Sequence, residues 1–370
     1  MQYSRKIGLL VLVLFTTSFA FAQTEALKVV VNNLAFYKQK NDLAFLSRAK
    51  KSADSLIVTR SDSSDIEKNI YRLIVNSSIL YTDSLNKLNQ PDDFLDKTAG
   101  LFDRLSEKQK AFKFQSELDY SRRSLTNTYI RNGFKFTKIG DFAKATTAFT
   151  QAKKYSPDFK AINSYIAFAN NKQGNLQDAA KYYSNLIKTD STKIEYFQAA
   201  TAVYKLMGDT AMALQILKKG RKLLPADKQL LQDEANIYNN KRDYKSLEPL
   251  LGDLLDNNPN SPDVTFVAAN CYDRLNAYNK AESLYLRAIE LNGAAYEPVL
   301  NLGLLYFKQS ALKANDNGKN ITSAILWLEK ANEMAPSDKK CLELLQLAYT
   351  KTGNQNQLRR VNDRLEQFTN

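Results

Sequence analysis

The chain is 370 residues long, 44% hydrophobic and 25% charged, a composition that folds and lies far from the disordered range. Twelve Gly and eight Pro are too few for a many-turned β fold, and the absence of His removes the commonest general acid/base and metal ligand near neutral pH. Two cysteines, Cys271 and Cys341, cannot complete a four-ligand zinc site or form a CxxC pair, and the net charge of +13 is scattered, with no block of like charges. No metal or cofactor is therefore expected, and no nucleic-acid site.

Residues 1–22 read as a secretory signal peptide. Arg5 and Lys6 supply the positive start, residues 7–15 the apolar stretch, and Ala20-Phe21-Ala22 the small-residue site, with cleavage expected between Ala22 and Gln23. Nine residues fall short of the roughly 20 that span a bilayer. No Cys follows to take a lipid, and no later stretch has spanning length. The expectation is an exported, periplasmic protein with no transmembrane segment after signal removal. Export permits disulfides, but the repeat frame below sets Cys271 and Cys341 two repeats apart. Since a disulfide needs Cα atoms within about 7 Å, two isolated thiols are expected.

Residues 23–125 pattern as helices. Residues 49–56 look like the second helix of a hairpin and 70–75 like the next first helix. Pro91-Asp92-Asp93 suits a helix start, with Pro and acids in the first turn. Three or so degenerate, longer repeats fit this segment, and so does a separate small helical domain.

From residue 126 the sequence repeats with a period of 34. Tyr204, Tyr238, Tyr272 and Tyr306 share one register, Gly140, Gly174 and Gly208 a second, and Ala145, Ala179, Ala213, Leu247 and Ala281 a third. Pro157, Pro225 and Pro259 form a fourth. Tyr349, Ala324 and Pro336 all lie nine residues late, so one insertion falls within 308–322, around Asn315-Asp316-Asn317-Gly318. Tyr129, Gly133 and Phe136 mark one face of a first helix, Gly140-Asp141 the turn, and Phe142, Ala145, Phe149 and Ala152 a second helix. Pro157 ends it.

This pattern resembles the tetratricopeptide repeat, which implies an all-α, right-handed α-solenoid of helix-turn-helix units. Six repeats run 126–159, 160–193, 194–227, 228–261, 262–295 and 296–338, the last with the insertion. Residues 339–370 keep Tyr349 and Gly353, then turn polar at Arg359-Arg360, as suits a capping helix pair.

Signatures of chemistry are missing. There is no GxxxxGK phosphate loop and no GxSxG elbow. The 315–318 turn mimics a calcium loop, but Lys313 and Ala324 stand at its first and last ligand positions. A non-enzyme is expected. The resemblance instead implies a concave groove formed by first helices. Its positions here are Ile130, Phe134, Tyr165 and Phe168, then Gln232, Asn236, Asn239 and Asn240, then Phe266, Asn270, Leu300, Leu304 and Phe307. Amides that bond a peptide backbone between apolar pockets fit a protein or peptide partner. Repeats that clamp the acidic tails of cytosolic heat-shock chaperones place Lys and Asn where Ile130 and Phe134 stand, which disfavours that partner. A structural subunit of a cell-envelope complex, docked by its N-terminal region or convex face, is the alternative.

Four tripeptides, beginning at Asp54, Asp83, Asp190 and Asp209, resemble the O-glycosylation acceptor of exported Bacteroidetes proteins. Ser191 and Thr210 are expected in inter-helix turns, where a sugar leaves packing undisturbed, and Ser55 and Ser84 on helices.

Overall fold

The computed structural model describes residues 25–312 and 318–368; the segment 1–22 expected to be a signal peptide, and the cleavage point expected at Ala22 and Gln23, lie outside them. Among the described residues every regular element is a helix. The chain divides into two compact units, the first ending at Leu186 and the second beginning at Ile187.

In the first unit α1 (Glu25–Lys40) and α2 (Leu43–Ser55) form a hairpin. Its turn places Asn41 at φ 52°, and the Asp42 carboxylate accepts the Ala44 N–H to cap α2. After the short α3 (Arg60–Ser64), α4 (Ile66–Thr82) packs on α2, and α5 (Phe94–Ser106) packs on α4. The connection between α4 and α5 is long and held by Asp83, whose carboxylate accepts the N–H groups of Lys87 and Leu88. This segment therefore holds two hairpins, not three, because the 83–93 connection takes the length of a further helix.

A 3-10 segment (Gln109–Phe114) leads into α6 (Gln115–Lys138), a 24-residue helix that runs straight through position 125. It packs on α4 and on α7 (Phe142–Tyr155), α8 (Ala161–Gln173) packs on α7, and α9 (Leu176–Thr189) follows. A single apolar core runs from Leu27 to Ala169. Residues 25–125 and the regular repeats after them thus share one core, and no domain boundary falls at 125.

The α4–α6 contact is polar. Ser77, Ser78, Ser121, Ser124 and Thr128 are all buried, and Ser78 Oγ lies 3.0 Å from Tyr120 Oη. Arg131 donates to the Leu80 and Tyr81 carbonyls at 2.6 and 3.1 Å, and Thr128 Oγ1 donates to Leu80. These bonds satisfy carbonyls at the end of α4 that no helical N–H reaches.

In the second unit the hairpins are α10 (Ile194–Leu206) with α11 (Thr210–Leu223), α15 (Pro262–Arg274) with α16 (Tyr278–Leu291), α17 (Tyr296–Leu312) with α18 (Lys319–Met334), and α19 (Lys339–Thr352) with α20 (Gln355–Glu366). Between the first two of these, α12 (Lys228–Asn240) meets a second helix broken into α13 (Tyr244–Leu247), a 3-10 turn Glu248–Leu250, and α14 (Leu251–Asn257). Pro249 explains the break, since it lacks an N–H and crowds the preceding turn. Hairpins contact their chain neighbours, and the cores form successive small clusters rather than one centre, as in a solenoid.

The period of 34 has a backbone cause. Gly140, Gly174, Gly208 and Gly353 adopt φ between 71° and 87°, and Arg242 and Asn276 hold the same slot at 56° and 61°. The N–H one residue later then bonds back five residues: Asp141 to Phe136, Asp209 to Tyr204, Asp243 to Tyr238, Ala277 to Tyr272 and Asn354 to Tyr349, at 2.8–3.0 Å. The turn conformation persists where the glycine does not. The expected Ala register is fully buried, from Ala145 to Ala324, with Leu247 in its place beside the Pro249 break.

Around the insertion α17 runs to Leu312 and α18 starts at Lys319, so 17 and 16 residues replace the usual 13 and 14; residues 313–317 lie outside those described. Both cysteines are free and fully buried, and burial pushes their thiols up to about 11. Such thiols are poor nucleophiles.

Candidate partner-binding surface

The groove positions of the first unit converge. Phe134 on α6 and Tyr165 on α8 meet edge-to-face with ring centroids 4.8 Å apart, and Phe134 also meets Phe149 at 5.4 Å. Phe149 is buried and fixes both. Ile130, one turn earlier on α6, is half-buried against the same core. Phe168, one turn beyond Tyr165, packs edge-on to Phe142 at 6.4 Å with Lys172 Nζ 5.8 Å from its ring centre. Packing holds these rings without covering them: Phe134 is 47% exposed and Phe168 40%. Phe142 and Lys172 are members of this surface that sequence reasoning missed; the 34-residue spacing of Lys138 and Lys172 was the available signal.

In the second unit the positions separate. Asn236 is exposed and accepts from Gln232 Nε2 at 3.1 Å, and Asn239 is half-buried. Phe266 is half-buried, 6.1 Å from the Tyr285 ring. Asn270 turns its carbonyl oxygen inward, where it accepts from Tyr285 Oη at 2.7 Å and Asn301 Nδ2 at 3.0 Å. That oxygen supports the packing of two hairpins instead of meeting a ligand. Burial, with Asp273 nearby, pushes the Tyr285 phenol well above its ordinary value. Leu300 is only 5% exposed and sits in the core with Val299 and Leu328, so it presents no surface. It faces inward because its helix is buried on two sides by neighbouring hairpins. Leu304 and Phe307 are half-buried, Phe307 against the last core cluster. Beside them Lys308 bonds both carboxylate oxygens of buried Asp273 at 2.9 and 3.0 Å.

Ser191 lies in the turn after the helix Leu176–Thr189, and Thr210 is the first residue of α11; both are half-buried. Ser55 ends α2, with its hydroxyl donating to Ser52 O. Ser84 is exposed in a turn and not helical, because Asp83 stops α4. Among the described residues no helix is long and apolar enough to cross a membrane.

These hairpins, with glycine turns and buried alanines at fixed spacing, match known proteins at the level of single repeats. Residues 137–193 and 264–294 each match a family profile described as Tetratricopeptide repeat. The chain therefore contains tetratricopeptide repeats. Among solved structures, this repeat protein is similar to YrrB, a TPR protein with an unusual peptide-binding site, at 18% identity, covering 54% of this chain and 98% of that one with a TM-score of 0.44. A tetratricopeptide repeat protein from Parabacteroides merdae ATCC 43184 is similar at 18% identity, covering 60% and 98% with a TM-score of 0.41. MamA from Desulfovibrio magneticus RS-1 is similar at 16% identity, covering 49% and 98% with a TM-score of 0.40. No curated protein matches the sequence.

Proposed function

We propose that this repeat protein is an exported, non-catalytic scaffold that holds a protein or peptide on the open side of its first helices. The observation that carries the reading is the pair Phe134 and Phe168, two aromatic rings on successive first helices that the core fixes in place and leaves about half exposed. Rigid, exposed aromatic anchors give contact area at low entropic cost and are typical of recognition surfaces. Exposed Asn236 adds hydrogen-bonding capacity in the second unit. Residues 1–22 support export, which would place the scaffold in the periplasm of a cell with two membranes.

The test is capture of partners from the native envelope with the wild-type chain and with Phe168→Ala, Asn236→Ala and Phe266→Ala combined. A partner captured at least tenfold less by the variant, with helical circular dichroism unchanged, is the expected result. Undiminished capture overturns the reading.

One observation favours docking into an envelope complex as a second reading. Val29 and Phe36, seven residues apart on α1, are exposed on the terminal hairpin of the first unit. Val29→Asp with Phe36→Asp tests it without cutting the shared core, as deletion of residues 23–125 would. Loss of complex assembly is then expected; an intact complex sinks this second reading.

A further inference from the structure

Charge is not spread evenly once it is placed on the fold. Residues 126–186 carry nine Lys and Arg against Asp141, Asp158 and Asp178, whereas residues 187–370 carry 24 against 22. Four of the nine, Arg131, Lys135, Lys138 and Lys172, stand on the first helices that carry the exposed rings, and five on second helices and turns. Lys138 stands one turn beyond Phe134 on α6, and Lys172 one turn beyond Phe168 on α8, so the two Phe–Lys pairs repeat at the period of 34. Both lysines are exposed and neither has a carboxylate partner among the described residues, while nearby Asp141 is engaged by Lys144.

From this juxtaposition we infer that the first-helix surface of residues 126–173 takes a peptide segment in which acidic residues alternate with apolar ones. The inference rests on the scaffold reading above and names the chemistry of its partner. Each Phe–Lys pair offers part-exposed ring carbon beside a cation with no carboxylate partner, which matches an apolar side chain followed by a carboxylate. Two such pairs on consecutive repeats read two such steps of one segment. The carboxylates recognised are those of side chains along the segment, so the surface does not need the Lys and Asn that a terminal carboxylate clamp places at positions 130 and 134. Nucleic acid fits less well. Phe134 is engaged edge-on by two rings and Lys172 lies over Phe168, which leaves no pair of open ring faces for stacked bases.

Fluorescence polarisation on the full chain tests this, with a short synthetic peptide alternating Glu with Phe and Leu as the probe. A twin with Gln for Glu, an oligothymidylate and anionic phosphatidylglycerol vesicles are the comparisons. The acidic peptide is expected to bind at least tenfold more tightly than its Gln twin, with affinity falling as salt rises. Lys138→Glu with Lys172→Glu should weaken it at least tenfold, Lys138→Gln with Lys172→Gln by less, and Phe134→Ala with Phe168→Ala at least tenfold, all with helicity retained. Equal binding of the two peptides, an unmoved affinity in both lysine variants, or tighter binding of the oligonucleotide or vesicles overturns the inference. If the acidic peptide fails while the triple variant still loses its native partner, this inference falls and the scaffold reading stands; if the triple variant keeps that partner, the scaffold reading itself falls.

Discussion

Two helix contacts inside the first unit solve the same problem with different chemistry. Where α6 meets α7 the approach is made by absence: a Cβ on Gly133 would lie 2.3 Å from the ring of Phe149. Where α6 meets α4 it is made by small hydroxyls, Ser77, Ser78, Ser121, Ser124 and Thr128, several of which bond back to their own helix. Either device lets two helices close to short range. The glycine contact repeats, because the same close approach recurs at Gly303 against Leu328. The hydroxyl contact does not, and its region lacks the 34-residue lattice.

The largest expected effect is alkaline and sets the regular hairpins of the second unit against the first. Burial raises the thiols of Cys271 and Cys341 to about 11 and the phenol of Tyr71 to about 12. A group whose folded value is raised keeps its stabilising effect below its unfolded value and loses it as pH climbs through the folded one. Stability should therefore be flat from pH 6 to 8, where the chain has no His to titrate, and fall from about pH 9 to 12. Both thiols lie in the regular hairpins, so hydrogen exchange should loosen the second unit first. Simultaneous loosening would show that the thiols do not set the onset.

Gly133→Val comes next. It drives a branched side chain into buried Phe149 and should cost about 3 kcal/mol in urea unfolding. Gly100→Ala on α5 is the control, since its Cβ meets nothing within 4 Å, and it should gain about 0.5–1 kcal/mol. Equal effects at the two glycines would remove close approach as the cause. Arg131→Ala should cost about 1.5 kcal/mol by exposing the end of α4. Arg242→Gly, at positive φ in the turn slot, should gain about 1 kcal/mol, and Asn276→Gly less, because Asn tolerates this conformation and its Oδ1 accepts from Tyr278 Oη. The smallest effect belongs to Ser121→Ala. Its buried hydroxyl has no partner, so removal should change stability by less than about 0.5 kcal/mol, and a larger loss would mean that this hydroxyl holds the α4–α6 contact.

Much of the fold was legible because a repeat multiplies weak signals. One Tyr or Gly says little, but registers held over several copies located the turns, the buried alanines and the single insertion. The lattice gave no warning that Arg242 and Asn276 keep the turn without Gly, since a backbone angle leaves no mark when a larger residue tolerates it. The candidate surface was half legible. Phe134 and Phe168 pack on neighbouring rings and stay part-exposed, whereas Leu300 is buried and the Asn270 oxygen serves Tyr285 and Asn301. Periodicity tells which face of a helix points away from its partner, but not how deeply the next hairpin covers it.

By itself, then, the sequence determined the helical class, the period and the points where each hairpin turns, because these depend on local backbone preference and side-chain size. Tertiary structure decided the rest: that α6 joins the irregular segment and the repeats through one core, that two hairpins and not three precede it, and that Phe134, Phe168, Lys138 and Lys172 all stay exposed on the first helices. Those outcomes depend on which surfaces neighbouring hairpins bury, and burial is settled only when the helices pack.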